Sequence, residues 1–192
     1  GLAIEKLEKE WVKYPVIHID LSSGKYYEVQ RIMSTLDFLL SRYELKYDIT
    51  PRDLSGFGDR FNNIIQTAAA QTGQKVVVLI DEYDAPMLDS NAKPELQEQI
   101  RSIMRDFFSP LKANEGLLRF VFLTGITKFS QLSIFSELNN IKNYSLDDRY
   151  ATICGFTEQE LLDNFHEGIT DLASANGMTF DEAVEKLKEQ YD

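Results

Sequence analysis

The chain has 192 residues, with 31 Asp plus Glu against 20 Lys plus Arg, a formal net charge of −11. At 43% hydrophobic, 11% aromatic and 27% charged residues it has the composition of a soluble globular protein long enough to bury a core, which excludes disordered and fibrous classes. The lack of clustered Lys and Arg argues against nucleic-acid binding through general electrostatics, so no direct nucleic-acid binding by this chain is expected, and one cysteine, Cys154, with two histidines leaves no internal disulfide and no zinc spacing.

The longest apolar run, Val76 to Ile80, is far short of a membrane span, and the start Gly-Leu-Ala-Ile-Glu-Lys lacks the order of a signal peptide. The expectation is a cytoplasmic protein that does not enter a membrane.

Tyr14 to Leu21 is the first β-rich run, and Ser22-Ser23-Gly24 turns it into a helical stripe of Val29, Ile32, Met33, Leu36, Leu39, Leu40 and Tyr43. Lys46 to Gly58 reads as an irregular connection. Phe57, Phe61, Ile64, Ile65, Ala68 and Ala69 then form a second stripe that stops near Gly73. Lys75 to Ile80 reads as a strand, apolar without a break from Val76, which a parallel sheet covered on both faces requires, and Asp81-Glu82-Tyr83-Asp84 follows it. One helix is expected to carry Leu96, Ile100, Ile103, Met104, Phe107 and Leu111. The apolar strand Leu117 to Thr124 comes next, and a weaker strand is expected at Tyr150 to Cys154. Thr157 with Glu160 opens a helix with Leu161, Leu162, Phe165, Ile169 and Leu172, ended by Asn176-Gly177, and Thr179 with Glu182 caps a last one. No internal repeat is visible. The order predicts an α/β fold with a parallel sheet and a helical C-terminal tail. The expected division is a core over residues 1–155 and a helical segment over 156–192.

The strand end is the informative place. In open parallel sheets ligands lie at the carboxyl ends of the strands, so Asp81 and Glu82 point toward that crevice. One carboxylate there can take the side of a magnesium ion that bridges nucleotide phosphates, and its neighbour can orient the attacking water. Four apolar residues followed by Asp-Glu form a Walker B pattern. Thr124-Gly125-Ile126-Thr127 ends the next apolar strand with hydroxyls placed to sense a γ-phosphate. The same residues also fit a solvated acidic turn and a hydroxyl-rich turn that satisfies the last backbone groups.

Val77-Val-Leu-Ile-Asp-Glu-Tyr-Asp-Ala-Pro86, Phe120 to Ser130, Glu137-Leu-Asn-Asn140 and Cys154 to Glu160, with Pro15 to Ser22 before them, resemble the bacterial AAA-ATPase-like family. Its members commonly join a P-loop ATPase domain to a restriction-endonuclease-like nuclease domain. The resemblance implies a three-layer parallel sheet of P-loop NTPase type, ATP and Mg2+ as cofactors, Asp81 as the magnesium-side acid, Glu82 as the catalytic acid that positions water, and Thr124 as the sensor. It gives Asp84 no role.

The phosphate loop G-x-x-x-x-G-K-[ST] is absent: Ser23-Gly24-Lys25-Tyr26 has Ile19 five residues before Gly24 and Tyr after Lys25, and Gly73-Gln74-Lys75 precedes a strand. The chain therefore resembles the middle of a longer protein, without the first strand and its loop, and with any nuclease domain beyond Asp192. ATP hydrolysis is expected of the intact parent and not of this fragment, which is expected to bind neither ATP nor Mg2+. A non-catalytic α/β module that docks a protein partner is the alternative. His18 is expected to pack within its strand, and His166 to lie on a solvated face. Phe107, Phe108, Phe120, Phe122 and Phe129 fit the core better than base stacking. Arg149 fits a surface ion pair better than an arginine finger.

Overall fold

The computed structural model describes residues 4–50, 56–126, 141–145, 147–150, 152–153 and 156–191. The chain divides into two compact units, residues 1–142 and 143–192. Among the described residues no helix is long and apolar enough to cross a membrane.

The first unit opens with a single helical turn, α1 (Ile4–Leu7), and then β1 (Val16–Asp20). Helix α2 (Val29–Lys46) buries Ile32, Leu36, Leu39 and Leu40, spaced to form one face. Met33, expected on that face, is exposed. Helix α3 (Phe57–Thr72) buries Phe61, Ile64, Ile65 and Ala68 and ends at Gly73, whose φ of 64° is the left-handed cap that glycine adopts without strain. A Cβ on Gly58 would lie 2.5 Å from the Asp106 carbonyl oxygen, so glycine lets α3 approach the helix that carries Asp106. Strand β2 (Val76–Asp81) leads into a short helix, α4 (Ala85–Asp89), which the sequence pattern did not single out.

The helix expected from Leu96 to Leu111 is two. Helix α5 (Pro94–Phe108) stops at Ser109, and Pro110, which has no N–H to give, opens the short α6 (Pro110–Ala113). Strand β3 (Leu118–Leu123) is the third strand among the described residues.

The strands are parallel in the order β1-β2-β3. Register places Ile17, Val78 and Val121 in one row and Ile19, Ile80 and Leu123 in the next, facing the helices. Val16, Val77 and Phe120, then His18, Leu79 and Phe122, form rows on the opposite face. Within this unit the buried residues of α2, α3, α4, α5 and α6 cluster with that first face. On the other, Val16, Phe120 and Phe122 are 40%, 53% and 40% exposed, and the two phenylalanines stack on each other with ring centroids 6.0 Å apart. Of the expected three layers, the described part of this unit shows the sheet and one layer of helices. Phe120, Phe122 and His18 lie on an open face instead of in a core, whereas Phe107 and Phe108 are buried as expected. Phe129 lies outside the described residues.

In the second unit the strand expected at Tyr150 to Cys154 does not form among the described residues. Asp147 Oδ1 accepts from the Arg149 N–H at 3.1 Å and its carbonyl from the Tyr150 N–H at 2.8 Å, which curls Asp148–Tyr150 into a 3-10 turn. Ala151 and Cys154 lie outside the described residues. Helices α7 (Glu158–Asn164), α8 (His166–Asn176) and α9 (Phe180–Tyr191) follow, so the helix expected from Thr157 to Asn176 is broken at Phe165. Both capping boxes form, with Thr157 N–H to Glu160 Oε2 at 2.9 Å and Thr179 N–H to Glu182 Oε2 at 2.7 Å. Ile169, Ala173, Ala183 and Val184 make this unit's small core.

Candidate functional site

The acidic strand end is tied on both sides through its backbone. The Leu21 N–H reaches the Asp81 carbonyl at 3.1 Å, and the Thr124 N–H reaches the Ile80 carbonyl at 2.9 Å. The Tyr83 N–H then donates to the Thr124 carbonyl at 3.0 Å, folding the turn over the end of β3.

That turn brings Asp81, Glu82 and Thr124 together, all half-buried. The Thr124 hydroxyl donates to Asp81 Oδ1, and the Glu82 N–H donates to the same oxygen at 3.1 Å. Neither bond uses Oδ2. Two donors on one oxygen fix the carboxylate plane, and the remaining oxygen is the one a cation would meet. Glu82 has a φ of 52°, a left-handed conformation that costs a residue with a Cβ about 1–2 kcal/mol. Backbone strain of this kind collects where a side chain has a task.

Beneath the pair the turn is closely packed. Tyr83 and Asp84 are buried, and burial, with Asp84 nearby, pushes the Tyr83 hydroxyl up to about 12. A Cβ on Gly125 would lie 2.5 Å from Asp84 Oδ1 and 2.7 Å from Tyr83 Cε1, so only glycine allows the end of β3 to come this close. The buried place of Asp84 gives it a packing position that the sequence did not supply.

Sequence reasoning missed Asp20. Register pairs Asp20 with Asp81, putting both on the open-face side of the sheet at the carboxyl edge. The Ser22 hydroxyl, followed by the Ser22 N–H at 2.8 Å from Oδ1, holds the Asp20 carboxyl below its ordinary range. The available signal was repetition, since both strands end in Ile-Asp. Among the described residues no group of three or more His, Cys, Asp or Glu is gathered to hold a metal. Magnesium needs no such cage, because it is commonly held by one or two carboxylates together with phosphates and waters.

The segment nearest a phosphate loop has another use. A Cβ on Gly24 would overlap the Tyr26 ring, whose hydroxyl donates to the Leu21 carbonyl at 2.8 Å and is raised to about 12 by burial. The Tyr26 N–H donates to Asp89 Oδ2 at 3.0 Å, which fastens this turn to α4. Arg149 pairs with Asp147 at 2.6 Å on the surface, and His166 stacks on Phe180 at 4.7 Å.

Residues 1–135, which include all three candidate positions, match the family described as "AAA-ATPase_like: Predicted AAA-ATPase". The chain belongs to the AAA-ATPase-like family. It is also similar to the "Uncharacterized protein in vnfD 5'region" of Azotobacter chroococcum mcd 1, at 37% identity over 151 residues, 78% of this chain and 29% of that protein. The chain therefore spans less than a third of that relative. No solved structure matches it.

Proposed function

We propose that this chain carries the Walker B and sensor strands of a P-loop ATPase domain, with ATP as ligand, Asp81 on the magnesium side, Glu82 orienting the attacking water and Thr124 sensing the γ-phosphate. The observation that carries the reading is Glu82. It is a carboxylate held in a left-handed backbone at the carboxyl end of a buried parallel strand, beside an Asp81 fixed by two donors. Family membership supports the general class.

The residues fit magnesium, since carboxylate oxygens are the hard donors it prefers. Asp81, aligned through Oδ1, keeps its second oxygen for the cation side. When bound, the ion would neutralise charge on the β- and γ-phosphates. Glu82 accepts a hydrogen bond from water and holds its lone pair toward the phosphate. Thr124 has one hydroxyl proton, so donation to a γ-phosphate requires it to leave Asp81.

On this reading the backbone donors and lysine that cradle the phosphates belong to a loop outside residues 1–192, and the isolated chain does not turn over ATP. Calorimetry tests this on the longer polypeptide that contains the chain and such a loop. ATP should bind with micromolar-range affinity that needs Mg2+, and Asp81→Asn should remove the metal dependence. Metal-independent binding would sink the assignment of Asp81, and turnover by residues 1–192 that Glu82→Gln abolishes would sink the need for an outside loop. The second reading, a non-catalytic module that docks a protein, draws on the exposed sheet face around Phe120 and Phe122. Absence of any ATP binding by the longer polypeptide would favour it.

A further inference from the structure

Along a parallel strand, alternate residues turn both backbone groups to the same side. The Pro15 carbonyl accepts from the Val77 N–H at 2.9 Å and the Leu21 N–H donates to the Asp81 carbonyl at 3.1 Å, so the odd-numbered residues of β1 face β2. Val16, His18 and Asp20 accordingly present their backbone groups to the outer edge. His18 is the middle one, and a single side chain takes both of its groups. The Tyr43 hydroxyl accepts from the His18 N–H at 2.6 Å and donates to the His18 carbonyl at 2.9 Å. Tyr43 stands on α2, with its ring packed against the core and the Lys46 ammonium 5.8 Å from the ring centroid.

We propose that Tyr43 is an edge cap that closes β1 to any further strand, and that it keeps a second copy of this chain from pairing there. An added strand must bond to successive outward residues, which recur every two positions, about 7 Å apart. With His18 occupied, Val16 and Asp20 are separated by twice that spacing and offer no adjacent pair. One hydroxyl with one proton and two lone pairs suits the task, since it mimics the donor and the acceptor of an absent neighbour. An open β1 edge would give the sheet a template for association, because the face beside it carries exposed Val16.

Hydrogen exchange in the unaltered chain tests the bond directly. The His18 amide should exchange at least tenfold more slowly than the equally outward Val16 amide, and equal rates would overturn the proposal. Tyr43→Phe keeps the ring and removes the hydroxyl. It should speed His18 exchange at least tenfold at low concentration and, on raising the concentration, yield larger species by sedimentation velocity. Adding His18→Pro, which takes away the outward N–H, should return the chain to the sedimentation of the unaltered one. A Tyr43→Phe chain that is folded by circular dichroism and sediments as before would overturn the proposal. Association that persists in the double variant would also overturn it, because it would use another surface.

Discussion

Replacing Glu82 by glycine should stabilise the fold while removing a candidate catalytic group. The backbone at Glu82, with φ of 52°, lies where a Cβ costs about 1–2 kcal/mol and glycine nothing. Against this stands the extra freedom glycine has when unfolded, about 0.5–1 kcal/mol. The net gain is therefore about 0–1.5 kcal/mol, centred on about 0.8 kcal/mol, or about 2–3 °C in Tm for a chain of this size. The Glu82 N–H bond to Asp81 survives the change because it is made by the backbone. Glu82→Gln keeps the Cβ and removes the charge, so it should leave stability within about 0.5 kcal/mol. Urea unfolding of the parent and both variants reads the difference as a change in midpoint at constant m. If Glu82→Gly unfolds at lower urea, or if Glu82→Gln gains as much as the glycine variant, the strain argument fails.

Gly125→Ala should cost about 1–3 kcal/mol in the same assay, since its methyl would sit 2.5 Å from Asp84 Oδ1; a loss under about 0.5 kcal/mol would contradict the packing described. Arg60 pairs with the buried Glu44 at 2.7 Å and also with Asp37, so Arg60→Met should cost up to about 3 kcal/mol. Adding Glu44→Met should recover most of that loss, and a double variant as unstable as the single one would refute the reasoning. Glu160 and Glu182 are held below their ordinary values by the N–H and hydroxyl groups of Thr157 and Thr179. Since the folded values are the lower ones, their support is full above the ordinary glutamate pKa of about 4.3 and is lost as pH falls through the folded values. The Glu160 and Glu182 amide shifts should follow this loss in an acid titration, and Thr157→Ala and Thr179→Ala, which remove the hydroxyl and keep the N–H, should each weaken it at its own helix.

The sequence made the sheet legible because three runs of β-branched and aromatic residues alternate with helical stripes, and all three became parallel strands. Both capping boxes were equally plain, being local chemistry between residues three apart. The covering of the sheet was not legible. Val76 to Ile80 is apolar throughout, but a run of that kind says what each face prefers and not what lies on it. Helix α4 was missed because five residues are too few for a period to emerge. At the site, Asp81 and Glu82 could be picked out from a strand end alone. The hydroxyl bond from Thr124, 43 residues away, and the pairing with Asp20 depend on register, which no local pattern states. The strand expected near Tyr150 lost to Asp147, whose short side chain captures the backbone that follows it.

Phosphate release from ATP by the longer family polypeptide, compared with its Glu82→Gln variant, tests the central claim most directly. Removal of one water-orienting carboxylate should lower kcat at least a hundredfold while ATP and Mg2+ still bind, in line with the range for a general base. A variant that hydrolyses ATP at the unaltered rate would contradict the claim.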